Sequence, residues 1–192
     1  MREHLRPAVV AFAALTALLG IAYPLALTGV SRTAFGHKAA GSLLYHDGRV
    51  VGSSLIGQEF SQGRYFWTRP SATGPAPYNA EASSGSNLGP SNPLLRQRVE
   101  ARAEALRVLD PGNPGPIPVD LVTSSGSGLD PHISVAAAEY QVPRVARARD
   151  LPEAAVRELV RANSSGRTFG FLGEPVVNVL MLNLALDRLD GK

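Results

Sequence analysis

The sequence predicts an α+β protein: one N-terminal transmembrane helix, then a single soluble domain of short strands and several helices. Three observations predict it. An uncharged apolar run of membrane-spanning length begins at Pro7. Short apolar segments bounded by turn residues follow it. Helical periodicities then gather in the second half without a regular alternation with strands, which argues against a wound parallel sheet.

From Pro7 to Val30 the chain reads PAVVAFAALTALLGIAYPLALTGV. At about 1.5 Å per residue this crosses roughly 30 Å of hydrocarbon with some tilt. The span is placed at 8–30, behind a short flank of residues 1–7. A cleaved signal peptide has a shorter apolar core, of about 7–15 residues. Pro24 frees a backbone carbonyl within the span and predicts a kink. Arg2 and Arg6 before the span nearly balance Arg32 and Lys38 after it. The short flank with its free amine favours a cytoplasmic N-terminus, with the domain, residues 31–192, outside the cytoplasm.

In LLYHDGRVVGSS, the Asp47-Gly48 pair predicts a hairpin. GRYFWTRP brings Tyr65, Phe66 and Trp67 together and predicts an extended strand. Pro70 to Pro93 is a long Gly/Pro/Ser-rich loop whose composition favours disorder. Ser91 or Asn92 caps the next helix and Pro93 suits its first turn. Leu95, Val99, Leu106 and Leu109 face inward there, with Arg96, Glu100, Glu104 and Arg107 on the wet side. PGNPGP from Pro111 stops that helix, and IPVDLVT (117–123) predicts a strand. Asp130 caps and Pro131 opens another helix, which Pro143 breaks into two pieces. Asp150 and Pro152 start a further one, with Val156, Leu159 and Val160 inward. The run from Pro175 to Leu189 predicts a central buried helix, its Asn178 and Asn183 being satisfied core amides.

Several chemistries fail on inventory. The chain has no cysteine, which excludes disulfides, thiolate catalysis and cysteine-ligated zinc. The net charge is +3, but Arg and Glu alternate along the helices and no dense basic stripe exists, which excludes nucleic acid as a partner. His4, His37, His46 and His132 have no metal-ligand spacing. Strand, glycine-rich turn and helix at Ser124–Pro131 sketch a phosphate cradle, yet GxxxxGK[ST] is absent and Pro131 stands where GxGxxG needs glycine. Ser125, Ser127, Asp130 and His132 are close in sequence, but the elbow GxSxG occurs nowhere. No catalytic residue, metal ligand or cofactor contact is assigned. The alternative class is a membrane-anchored extracytoplasmic hydrolase or nucleotide-binding enzyme.

The same residues carry a resemblance. GSSLIGQEF (52–60), YFWTRPSA (65–72), PYNAEASSGSNLGPSNP (77–93), DLVTSSGSGLDPHIS (120–134), QVPRVARAR (141–149) and LGEPVVNVLMLNLAL (172–186) are similar to the C subunit of the bacterial Kdp potassium-transporting ATPase, as is YPLALT within the span. The resemblance implies a non-catalytic accessory subunit of an ATP-driven potassium uptake complex in the bacterial inner membrane. Its partners would be a channel-like potassium-binding subunit, a P-type ATPase subunit that hydrolyses ATP, and a small hydrophobic subunit. The family is described as a catalytic chaperone that raises the ATPase subunit's affinity for ATP; potassium is carried by the complex. RANSSGRTFG (161–170), where the family's proposed glutamine-containing nucleotide signature would fall, has no Gln, so no ATP contact is carried over. The resemblance also makes the 70–93 loop ordered and functional. The expectation is that the domain docks over the channel-like subunit's outer mouth through Pro70–Pro93 and Gly126–His132. The candidate docking residues are Gln58, Arg69, Tyr78, Asn79, Asn87, Asn92, Asp130 and His132.

Overall fold

An apolar run without a polar stripe has no face to offer a soluble core, and here it builds one long helical segment. The computed structural model describes residues 2–189. In it α1 (Arg2–Leu15), a π-helical stretch (Thr16–Ala22) and α2 (Tyr23–Ala34) follow one another directly. Glu3–Ala34, 32 residues, is long and apolar enough to cross a membrane. The helix widens rather than breaks ahead of Pro24: the Tyr23 N–H donates to Leu18 O, five residues back. A proline ring collides with the carbonyl four residues earlier, and a widened turn gives it room. Thr28 and Thr33 return their hydroxyls to Pro24 O (2.7 Å) and Gly29 O (2.9 Å), so neither is left unpaired. A short helix, α3 (Gly36–Ala39), comes next. The chain divides into two compact units between Leu43 and Leu44.

From Leu43 onward β1 (Leu43–His46) and β2 (Arg49–Ser53) form the predicted hairpin. Asp47 (φ +49°) and Gly48 (φ +74°) both take the left-handed conformation that its two-residue turn demands. Further along lie α4 (Pro93–Leu109), β3 (His132–Ser134), α5 (Val135–Arg149), α6 (Glu153–Ala162), β4 (Ser164–Ser165), β5 (Val176–Asn178) and α7 (Val179–Leu189). An antiparallel sheet has the order β3-β5-β4, with Ile133 opposite Val177 and Ser165 opposite Val176. Two of its strands run straight into helices, and each junction is capped. Ser134 Oγ accepts the Ala137 N–H (3.0 Å) and Asn178 Oδ1 accepts the Met181 N–H (3.1 Å). The core joins Ile133, Val142, Val145, Val156, Val160, Val177, Leu182 and Leu186 to Phe66, Leu106 and Leu121.

Four local expectations are corrected. Residues 117–123 are not a strand: Val119–Leu121 is a single 3-10 turn. Pro118 removes a ladder donor, and Asp120 instead takes the backbone N–H (2.7 Å) and hydroxyl (3.2 Å) of Ser134. Asp130-Pro131 does not open a helix. It precedes β3, because pairing with β5 captures residues 132–134 and moves the cap to Ser134. Pro143 does not divide α5, which stays one helix of 15 residues. Buried Val142, Arg144, Val145 and Ala146 around the proline outweigh its local cost of about 3 kcal/mol. Residues 176–178, expected as helix, are the central strand β5.

The aromatic segment departs most from expectation. Residues 65–67 form no strand: Tyr65 closes a turn, its N–H reaching Gln62 O (3.2 Å), and Phe66 and Trp67 follow in irregular backbone. Side-chain amides take the place of a neighbouring strand. Asn183 accepts the Phe66 N–H (2.9 Å) and donates to Phe66 O (3.0 Å). Gln141 does the same for Trp67, at 2.8 and 3.2 Å. Both amides are almost fully buried. Arg144 donates to the carbonyls of Gly63 and Tyr65, and Arg149 to that of Arg64 (2.7 Å). Arg102 and Arg149 lie over the Trp67 and Tyr65 rings, each 4.9 Å from the centroid. Burial pulls the Arg144 guanidinium down to about 10, which still leaves it charged at neutral pH.

Asn183→Leu keeps the branching at Cγ but strips partners from two buried peptide groups. It is expected to destabilise the domain by about 3 kcal/mol in denaturant unfolding of the full chain in detergent. A loss below about 1 kcal/mol would show that water or a rearranged backbone replaces the amide.

Candidate partner-docking surface

The 70–93 loop is laced down by hydroxyl groups, which accounts for its order despite its composition. Ser71 Oγ donates to Gly128 O (2.8 Å) and accepts the N–H of Tyr78 (2.9 Å) and of Thr73 (3.3 Å). Thr73 Oγ1 donates to Ala76 O (2.8 Å) and accepts the Asn79 N–H (3.1 Å). Ser83 Oγ reaches Ser127 O (3.0 Å). The opposing turn is itself built by serines: buried Ser125 Oγ accepts the Gly128 N–H (2.9 Å), and Ser127 Oγ accepts the Leu129 N–H (3.1 Å). Gly128 has φ +68°, and a Cβ there would stand 2.7 Å from Ser84 O. Only glycine lets the two loops approach so closely.

Four candidate residues converge beside this seam. Arg69 Nη1 pairs with Asp130 Oδ2 at 3.3 Å while its Nη2 reaches Ser124 O at 3.4 Å. Asp130 Oδ1 accepts the His132 backbone N–H (3.0 Å) and lies 3.5 Å from His132 Nδ1. Tyr78 (φ +55°) tucks its hydroxyl under Arg69, donating to Arg69 O and lying beside Thr68 Oγ1. Arg69, Asp130 and His132 line an open cleft of about 510 Å³ together with Asp120, Ser134 and Glu174. The remaining four serve locally. Gln58 donates to Val51 O (2.7 Å). Asn79 caps the 3-10 turn Ala80–Ala82, and Asn92 caps α4. Asn87 is exposed at φ +52°.

Sequence reasoning missed Ser71, Thr73 and Ser83, which fasten the loop, and weighed Ser125 only as a nucleophile rather than as the group that builds the opposing turn. Their one local signal is the Ser71-x-Thr73 spacing, in which the first hydroxyl caps the N–H two residues on. Burial pushes the Tyr78 phenol up and the nearby Arg102 guanidinium down. Burial also opposes the Asp130 charge, but the hydrogen bonds from His132 and the Arg69 charge outweigh it and hold that carboxyl below 3.8. Among the described residues no group of three or more His, Cys, Asp or Glu is placed to hold a metal ion.

Comparison with known proteins covers nearly the whole chain. Residues 5–188 match the family described as KdpC, K+-transporting ATPase, c chain. A protein of Sorangium cellulosum (strain So ce56) named potassium-transporting ATPase KdpC subunit is 62% identical over 187 residues, covering 97% of this chain and 98% of that one. Its namesake in Methylibium petroleiphilum is 63% identical over 187 residues, with the same coverage. That of Polaromonas naphthalenivorans is 60% identical over 189 residues, covering 98% of this chain and 96% of that one.

Because its folded-state pKa is depressed, Asp130 stabilises the fold at pH above 3.8, and that contribution is lost as pH falls through the lower folded value. The stability gap between the wild type and Asp130→Asn is therefore widest at neutral pH and closes on acidification below 3.8. Unfolding midpoints taken across that range check it, and a gap independent of pH would contradict it.

Proposed function

The chain belongs to the KdpC family of K+-transporting ATPase c chains, and from that premise we propose that it is a non-catalytic accessory subunit of an ATP-driven potassium uptake complex. Glu3–Ala34 anchors it once in the bacterial inner membrane, the N-terminus is cytoplasmic, and the domain lies outside the cytoplasm. Its partners are the channel-like potassium-binding subunit, the P-type ATPase subunit and the small hydrophobic subunit. ATP hydrolysis belongs to the ATPase subunit.

The observation that carries the docking role is the seam between the 70–93 loop and residues 126–132. A free loop would lose conformational entropy on binding, whereas one already tied down by Ser71, Thr73 and Ser83 presents a finished surface. In this reading that surface, with Arg69, Asp130 and His132 beside it, meets the outer mouth of the channel-like subunit. The hydrolase alternative needs the Ser125 or Ser127 hydroxyl free to attack, and both oxygens already serve as acceptors within the turn. The catalytic-chaperone role then operates across the bilayer. A domain on the far side from ATP raises its affinity only by binding one conformation of the partners better than another.

Two measurements test this. A Cβ at Gly126 or at Gly112 meets nothing within 4 Å, so a side chain can leave the backbone at either without a clash. Gly126→Tyr, on the proposed face, is expected to lower recovery of the assembled complex on the order of tenfold, while Gly112→Tyr leaves it unchanged. Equal recovery would remove this face from the interface. For orientation, the cysteine-free chain with exposed Ala154→Cys is expected to react with a membrane-impermeant maleimide in intact cells, the outer membrane permeabilised if there is one. Labelling only after lysis would put the domain in the cytoplasm.

A further inference from the structure

Between β4 and β5 the chain turns over at Thr168–Leu172, and this turn closes on itself. Thr168 and Leu172 exchange both backbone bonds, at 2.9 and 3.0 Å. The N–H groups of Gly170 and Phe171 reach Arg167 O (3.0 Å) and Thr168 O (3.3 Å). Three large apolar side chains stand out from it into solvent: Phe169 is 85% exposed, Phe171 69% and Leu172 50%. Phe169 holds φ +54°, a conformation a bulky aromatic adopts against a steric cost. Arg167 and Glu174 pair at 2.9 Å across the base of the turn, so the stretch from Thr168 to Gly173 carries no charge. An uncharged cluster of this kind marks a contact surface.

The features of the tip favour lipid over a protein. Four of its five N–H groups, those of Thr168, Gly170, Phe171 and Leu172, are already paired, which lowers the cost of entering an apolar medium. Thr168 is its one polar side chain, which leaves little to orient a specific protein partner. Aromatic side chains at the level of the lipid headgroups are the usual interfacial anchors. The membrane is also close at hand. Phe35 to Ser42, the residues between α2 and β1, extend over roughly 28 Å at most, so a spanning Glu3–Ala34 keeps the bilayer surface at a high effective concentration.

We infer that the Phe169–Leu172 tip inserts into the interfacial zone of the bilayer and gives the domain a second, reversible membrane contact. This rests on the membrane-anchor reading, which vesicle flotation of the full chain reports separately. The test places a polarity-sensitive fluorophore on Leu172→Cys, or on Ala154→Cys as control. Each labelled chain is assembled with its partners in phosphatidylethanolamine–phosphatidylglycerol vesicles that contain a nitroxide-bearing lipid. The label at 172 is expected to be quenched several-fold more than the label at 154. Adding Phe169→Ser and Phe171→Ser should return it to the control level while flotation persists. Equal quenching at the two positions overturns the inference if the label is wet, and equally if it is dry, since a protein partner then covers the tip. Loss of flotation in the parent chain would sink the anchor reading and this inference with it.

Discussion

Two buried carboxamides hold this domain together. Phe66 and Trp67 supply large apolar surface to the core, and burying them also buries their peptide groups. No strand lies alongside to pair those groups, and leaving them unpaired would cost about 1–3 kcal/mol each. Asn183 from α7 and Gln141 from α5 act as substitute peptides, each giving one donor and one acceptor. The rest follows from the clamp. Once residues 66–67 are fixed, Arg144 and Arg149 gather the carbonyls before them, and Thr68 donates to Gln58 O after them (2.8 Å). Arg69 is thereby delivered to Asp130, and the 70–93 loop begins from a fixed point.

The sheet is small, and its use lies in launching helices rather than in area. β3 leads directly into α5 and β5 into α7, the two helices that carry the clamping amides. Register therefore matters beyond the strands themselves. A one-residue slip between Ile133 and Val177 would turn their side chains away from the core and rotate the starts of both helices. Asn178 ties the same junction to the first half of the domain through Ser54 O (2.8 Å).

The proposed docking seam shows how a loop poor in large apolar residues builds a firm surface. Serine and threonine hydroxyls bind backbone groups that helices or strands would otherwise pair, and Gly128 allows the two loops to meet without side chains between them. The surface is rigid because it is polar and hydrogen-bonded, and the apolar side chains between β4 and β5 are left free for a different contact. One domain thus offers two kinds of surface, suited to a protein partner and to lipid.

Much was legible in the sequence because it depends on neighbours alone. The apolar run into which Pro24 falls, the Asp47-Gly48 hairpin, the Asn92-Pro93 helix start and the inward stripe of Val156 and Val160 all follow from residues a few positions apart. The family was legible too, since long blocks of unusual composition survive in order. Tertiary structure decided what local patterns leave open. Asp-Pro at 130–131 suits a helix start or a strand entry equally well, and only pairing with a segment more than forty residues away selects the strand. Pro143 breaks a helix in isolation but not one whose next turn is buried. Asn183 reads as an ordinary core amide, and nothing local marks Gln141, until folding brings Phe66 and Trp67 to them. Periodicity and turn chemistry are properties of the local chain; partners for buried peptide groups are chosen only when distant segments meet.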